Sequence, residues 1–162
     1  TFTTLASTIL PEYLKALRQA MKQPHSAALF SMPGRGTATI AKVFGISGDF
    51  SGCYALVDGE KPVYVGISRN VLTRLRQHFT GKTHFDASLG FAVARRRQPT
   101  PGTRKQVMEH PTFKPAFAAT QTYLRSLHVA FIAIENPLEL YLFEAYAAME
   151  LQTCEWNTFR TH

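Results

Sequence analysis

The chain has 162 residues, 45% hydrophobic and 12% aromatic, which is enough to build a core and too apolar for a disordered chain. It carries 18 Lys and Arg against 11 Asp and Glu, a net charge of +7, and this excess favours a polyanionic partner such as nucleic acid. Cys53 and Cys154 are far apart with no Cys or His at ligand spacing, which excludes a zinc cage, and no apolar run is long enough to span a membrane.

The length suits one domain with an N-terminal extension, here residues 1–49. Within it, Pro11 is placed to open a helix, and Leu14, Leu17 and Met21 recur at helical spacing, so 11–23 reads as a short amphipathic helix. The stretch SMPGRGTATIAKVFGI (31–46) has glycines at 34 and 36 but lacks the Gly-Lys-Ser/Thr ending of a phosphate loop. It reads as a glycine-bounded turn leading into a short helix.

Residues 52–58 (GCYALVD) and 61–67 (KPVYVGI) are rich in strand formers, and Asp58-Gly59 signals a hairpin between them. Asn70 is a cap for a helix over 71–80, whose apolar face is Val71, Leu72, Leu75 and Phe79. A second helix follows over 87–97, then a Pro- and Gly-bearing linker over 98–103. Helices are expected over 103–109 and 114–126, and a third strand over 128–136. The next segment opens as a helix should, with Asn136 as cap, Pro137 at the first position and Glu139 as the capping-box acid. Both cysteines lie in apolar stretches and read as small core residues in a reducing, cytoplasmic compartment.

Some polar residues sit where a core would want apolar ones. On the last helix Glu139 and Glu150 share one stripe that can face water, whereas Glu144 falls among Leu140, Ala148 and Leu151. A carboxylate on a buried side needs a cationic partner or a metal ion. Arg74 and His78 lie one turn apart at the border of an apolar face, so their stems pack and their heads reach outward. Tyr54 and Tyr64 stand on facing strands of one hairpin, either as a cross-strand pair or as two phenols put to use.

Taken in order, these residues resemble the GIY-YIG endonuclease family. Its Gly-Ile-Tyr and Tyr-Ile-Gly strands stand here as Gly52-Cys53-Tyr54 and Tyr64-Val65-Gly66. The helical arginine of that family matches Arg74, with His78 one turn later, and ELYLFE (139–144) is similar to the helix that ends in its metal-binding glutamate, giving Glu144. EWNTF supplies the closing asparagine as Asn157. The resemblance covers roughly residues 50–80 and 128–159, so the nuclease domain is expected over 50–162 with a helical insertion at 81–127.

The resemblance implies an α/β fold, a small three-stranded antiparallel sheet flanked by helices, with the helical extension and insertion added to it. It implies a phosphodiester-cleaving endonuclease acting on nucleic acid, DNA rather than RNA, with one Mg2+ or Mn2+ on Glu144. Tyr54 would orient or deprotonate water with help from the metal, Arg74 or His78, Tyr64 would complete the hydrogen-bond network, Arg74 would stabilise charge on the phosphate, and Asn157 would be the site's closing asparagine. Arg95, Arg96 and Arg97 form a backbone-binding patch, with Arg76, Lys82 and Lys105 nearby in sequence. Two other readings stay open: a module of this fold that binds without cutting, and a toxin or effector nuclease held by a protein partner through the extension.

Overall fold

The structure is a computed structural model and describes residues 1–159; the last residues of the expected nuclease domain, 160–162, lie outside it. The chain forms two compact units. One gathers residues 1–26, 49–71 and 127–159, the other residues 27–48 and 72–126.

The first unit opens with helix α1 (Phe2–Thr4), which passes through a π-turn (Leu5–Ile9) into α2 (Leu10–Ala20). Pro11 therefore lies within a helix already under way. It has no N–H to give the preceding turn, and the wider winding just before it is one way a helix accommodates that loss. The sheet contains β1 (His25–Ser26), β2 (Gly52–Asp58), β3 (Lys61–Ser68) and β4 (His128–Ala133) in the order β1-β4-β2-β3, all antiparallel. Four strands rather than three are present. The extra one comes from the N-terminal segment, where His25 pairs with Val129 and stacks its ring 5.4 Å from Phe131.

Asp58 and Lys61 pair, so the hairpin loop is Gly59-Glu60, between the expected strands; Gly59 supplies the positive φ (+60°) that such loops require. A bulge between Leu56 and Val57 admits Pro62 into edge strand β3, where its missing N–H costs no ladder bond at the sheet centre. The strand signal at 128–136 ends at Ala133, and helix α8 (Pro137–Glu150) follows, with the Asn136 side chain accepting from the N–H groups of Leu138 and Glu139. Glu139 is not the capping-box acid: its carboxylate accepts from the Tyr13 hydroxyl at 2.6 Å, and that bond is the main reason the phenol pKa is pushed up to about 12.

Alternation along the strands sorts the sheet into two faces. Cys53, Ala55, Val65 and Ala130 point to one face and pack with Leu10, Leu14 and Leu17 of α2 and Leu140, Phe143 and Ala147 of α8. The free Cys53 thiol belongs to this core, but Cys154, placed in the turns after α8, is exposed.

The second unit holds a 3-10 turn (Ala27–Phe30), α3 (Thr37–Val43), most of α4 (Val71–Thr80), α5 (Ser88–Arg97), α6 (Arg104–Glu109) and α7 (Phe113–Ser126). Ala87, Phe91, Ala94, Val107, Phe113 and Phe117 form its apolar cluster. The Thr103 side chain and Gln106 close a full capping box on α6. Arg125 of α7 donates to the Phe79 carbonyl at 3.0 Å and so fixes the end of α4.

Both glycines of the hairpin are spatial requirements. A Cβ on Gly52 would meet the Ile132 carbonyl oxygen and approach the Phe50 ring to 3.1 Å. One on Gly66 would lie 2.9 Å from Cε2 of Tyr54 and closer still to its Cζ and hydroxyl. Gly66→Ala should therefore cost about 1–3 kcal/mol through overpacking, measured by urea unfolding. In a Tyr54→Leu background the same change should cost clearly less. Equal costs in both backgrounds would remove the ring from the explanation.

Candidate active site

Tyr54 and Tyr64 project from the sheet face opposite α2 and α8. Their ring centroids are 6.2 Å apart, and Tyr54 stands across from Gly66 while Tyr64 stands across from Leu56. They form a diagonal aromatic pair. Tyr54 is 1% exposed, whereas Tyr64 is half-buried. Tyr64 is thus the more accessible of the two phenols.

Glu144 belongs to the other face. α2 packs over β4 while α8 packs over β3 and β2. On the α8 wheel Glu144 lies on the flank turned away from α2, whereas Glu139, Tyr146 and Glu150 lie on the flank toward it. The Glu144 flank therefore borders the outer edge of β3, the strand that carries Tyr64 on its opposite face. The carboxyl is half-buried and its pKa is raised by desolvation alone, so no hydrogen bond or ion pair offsets the burial among the described residues. Its charge adds to burial in pushing the Cys53 thiol up.

Asn157 is buried at the same strand edge. Its Oδ1 accepts from the Val65 N–H (2.9 Å) and its Nδ2 donates to the Val65 carbonyl (2.7 Å), so one side chain replaces the missing neighbouring strand. Thr153 Oγ1 donates to the same Oδ1 at 2.8 Å. These bonds make Asn157 a brace for β3 between the Tyr64 and Gly66 positions. One turn before Glu144, a cavity of about 340 Å³ opens between Ile67, Ser68 and Arg69 on one side and Pro137, Leu140 and Tyr141 on the other. Arg69 and Tyr141 there had no sequence signal: a lone exposed cation and a lone exposed aromatic look like ordinary surface.

In the helical unit, Arg74 donates to Gln77 Oε1 (3.2 Å), the Asp86 carbonyl (3.3 Å) and Ser88 Oγ. These bonds hold the guanidinium in place and leave part of its five-donor fork unused. His78 is fully buried rather than set at an open edge. Burial first, and the Arg74 charge second, hold its pKa down at about 3. Burial therefore favours the neutral imidazole. Arg76 lines a cavity of about 480 Å³ with Thr73, Gln77, Thr80, Lys82 and Asp86, and its buried Nε has no hydrogen-bond partner.

The insertion arginines differ from one another. Arg95 donates to the Gly102 carbonyl (3.1 Å) and lies 5.9 Å from the Phe91 ring centroid, and Arg97 covers Tyr123 at 5.0 Å. Arg96 and Lys105 are exposed. The patch is therefore partly structural, held by cation–π packing that sequence spacing does not reveal. Among the described residues no group of three or more His, Cys, Asp or Glu could cage a metal ion.

The His78 shift has a signed consequence. The unfolded imidazole takes a proton near 6.5 and the folded one only near 3, so the unfolded state binds more protons between those values. Stability present above 6.5 should be lost as pH falls through that window, with a slope of up to about 1.4 kcal/mol per pH unit from this group. His78→Gln should flatten the slope in pH-dependent urea unfolding. An unchanged slope would place the acid sensitivity in other groups.

Residues 50–115 match the family model described as GIY-YIG catalytic domain, which includes the hairpin, Arg74, His78 and the insertion arginines. This segment belongs to the GIY-YIG endonuclease family, and the chain carries a phosphodiester hydrolase domain whose substrate is nucleic acid. Glu144 and Asn157 lie beyond the matched residues. No curated protein and no solved structure compared with the chain matches it significantly.

Proposed function

We propose that this GIY-YIG endonuclease domain hydrolyses DNA at the outer edge of β3, with one divalent cation held by Glu144. The observation that carries the reading is Glu144 itself: a half-buried carboxylate, pushed toward its neutral form by burial, with nothing among the described residues to offset its charge. A hard cation offsets that cost, and a site with one protein carboxylate suits Mg2+ or Mn2+, which fill their remaining positions with water and phosphate oxygens. The ion would supply Lewis-acid activation of the phosphodiester and of water. DNA rather than RNA is the substrate that the GIY-YIG resemblance implies.

In this reading each residue has a bounded task. Tyr64, the accessible phenol, holds a water or a phosphate oxygen by hydrogen bonding, while Tyr54 props its ring from below. Arg74 directs its unused donors at phosphate charge that grows in the transition state. Asn157 keeps β3 straight by pairing with Val65, and so fixes where Tyr64 points. Arg76 and Lys82 in one cavity, and Arg96 and Lys105 on the surface, neutralise the phosphate backbone and position it. Arg95 and Arg97 add charge to the same patch from packed positions.

The test uses paired activity and stability. Glu144→Gln should abolish metal-dependent cleavage while oligonucleotide binding survives. It should also raise the unfolding free energy at neutral pH, because a folded-state pKa above the unfolded one means the ionised form disfavours folding. Arg74→Ala should lower the single-turnover rate about 10²-fold or more. Chelation should stop cutting, and Mg2+ or Mn2+ should restore it. A Glu144→Gln protein that cuts at near the original rate would reject the assignment.

A further inference from the structure

The N-terminal helix carries a feature that the nuclease chemistry does not use. A groove of about 560 Å³ runs between α2 and α8, with Lys15, Arg18 and Lys22 along one wall and Tyr146 and Glu150 on the other. Lys15 and Arg18 are one helical turn apart, about 4.5 Å of rise, and Lys22 follows in the turn after α2. All three are exposed. Their charges are hardly engaged: Lys15 approaches Glu12 at 3.9 Å with both side chains largely in water, a pair of little energetic value, and Arg18 and Lys22 make no ion pair among the described residues.

Folding did not require this arrangement. α2 is held by its other face, where Leu10, Leu14 and Leu17 enter the core and Tyr13 bonds Glu139. Three cations against Glu150 in the lining and the weakly paired Glu12 leave the groove net positive, which suits a phosphate backbone. The half-buried Tyr146 ring gives the groove an aromatic wall on which a base can stack.

We propose that the α2–α8 groove is a second nucleic-acid contact, in which Lys15, Arg18 and Lys22 track the phosphate backbone of the substrate. The inference rests on the nuclease reading above. The groove occupies the α8 flank opposite Glu144, so it grips the substrate away from the reacting phosphate. Its contacts persist unchanged from ground to transition state and act on binding alone. The N-terminal segment is then a clamp on the substrate rather than a dock for a protein partner.

The experiment is a salt titration of affinity, read by fluorescence anisotropy on a labelled oligonucleotide with chelator present so that nothing is cut. K15Q/R18Q/K22Q should reduce the slope of log K against log salt by about 2–3, because three fewer counterions are released. The charge-preserving K15R/R18K/K22R should keep the original slope. With Mg2+ restored, the neutralised variant should show a raised KM at an unchanged single-turnover rate. If the original protein binds and the neutralised variant keeps its slope, the groove proposal is overturned while the nuclease reading stands. If the original protein binds no nucleic acid at all, both fall.

Discussion

The ring of Tyr54 occupies space that only a glycine at position 66 leaves open, and much of the sheet unit is arranged around that contact. It sets Tyr54 opposite Gly66 and Leu56 opposite Tyr64, which fixes the β2–β3 register. A slip by one residue would turn Tyr54 into the core now filled by Cys53 and Ala55 and push those small residues outward. Gly52 does the same job at the other ladder, where β2 presses against the Ile132 carbonyl of β4. The hairpin tyrosines and glycines thus act first as packing partners, and they leave Tyr64 half-buried beside the fully buried Tyr54.

The second constraint is the unprotected edge of β3. A nuclease needs a surface that a long phosphate chain can approach, and an edge strand offers one, at the risk of pairing with other strands. Asn157 resolves this by pairing its amide with both polar atoms of Val65. Glu144 lies on one side of that edge and Tyr64 on the other. The burial that raises the Glu144 pKa also disfavours folding while the carboxyl is ionised.

Much of this was legible from residue order. The hairpin, the α4 and α8 boundaries and the Asn136 cap follow from local chemistry, namely strand formers beside Gly59 and an Asn-Pro start. What was illegible depends on contacts distant in sequence. β1 is two residues long and has no alternation to read; it exists because His25 finds Val129 and Phe131. Glu139 looked like a cap until Tyr13, 126 residues away, took its carboxylate. His78 and Tyr54 share the chemistry of exposed site residues, and only tertiary packing buries them. Cys154 sits in an apolar stretch, yet the turns after α8 leave it in water.

The central claim is that Glu144 is the residue that holds the divalent cation, and the most direct measurement is Mn2+ binding followed by electron paramagnetic resonance in the presence of an uncleavable oligonucleotide. The account predicts one bound Mn2+ per chain in the original protein and loss of that bound signal in Glu144→Gln, with oligonucleotide affinity kept. Equal Mn2+ binding by both proteins would contradict it.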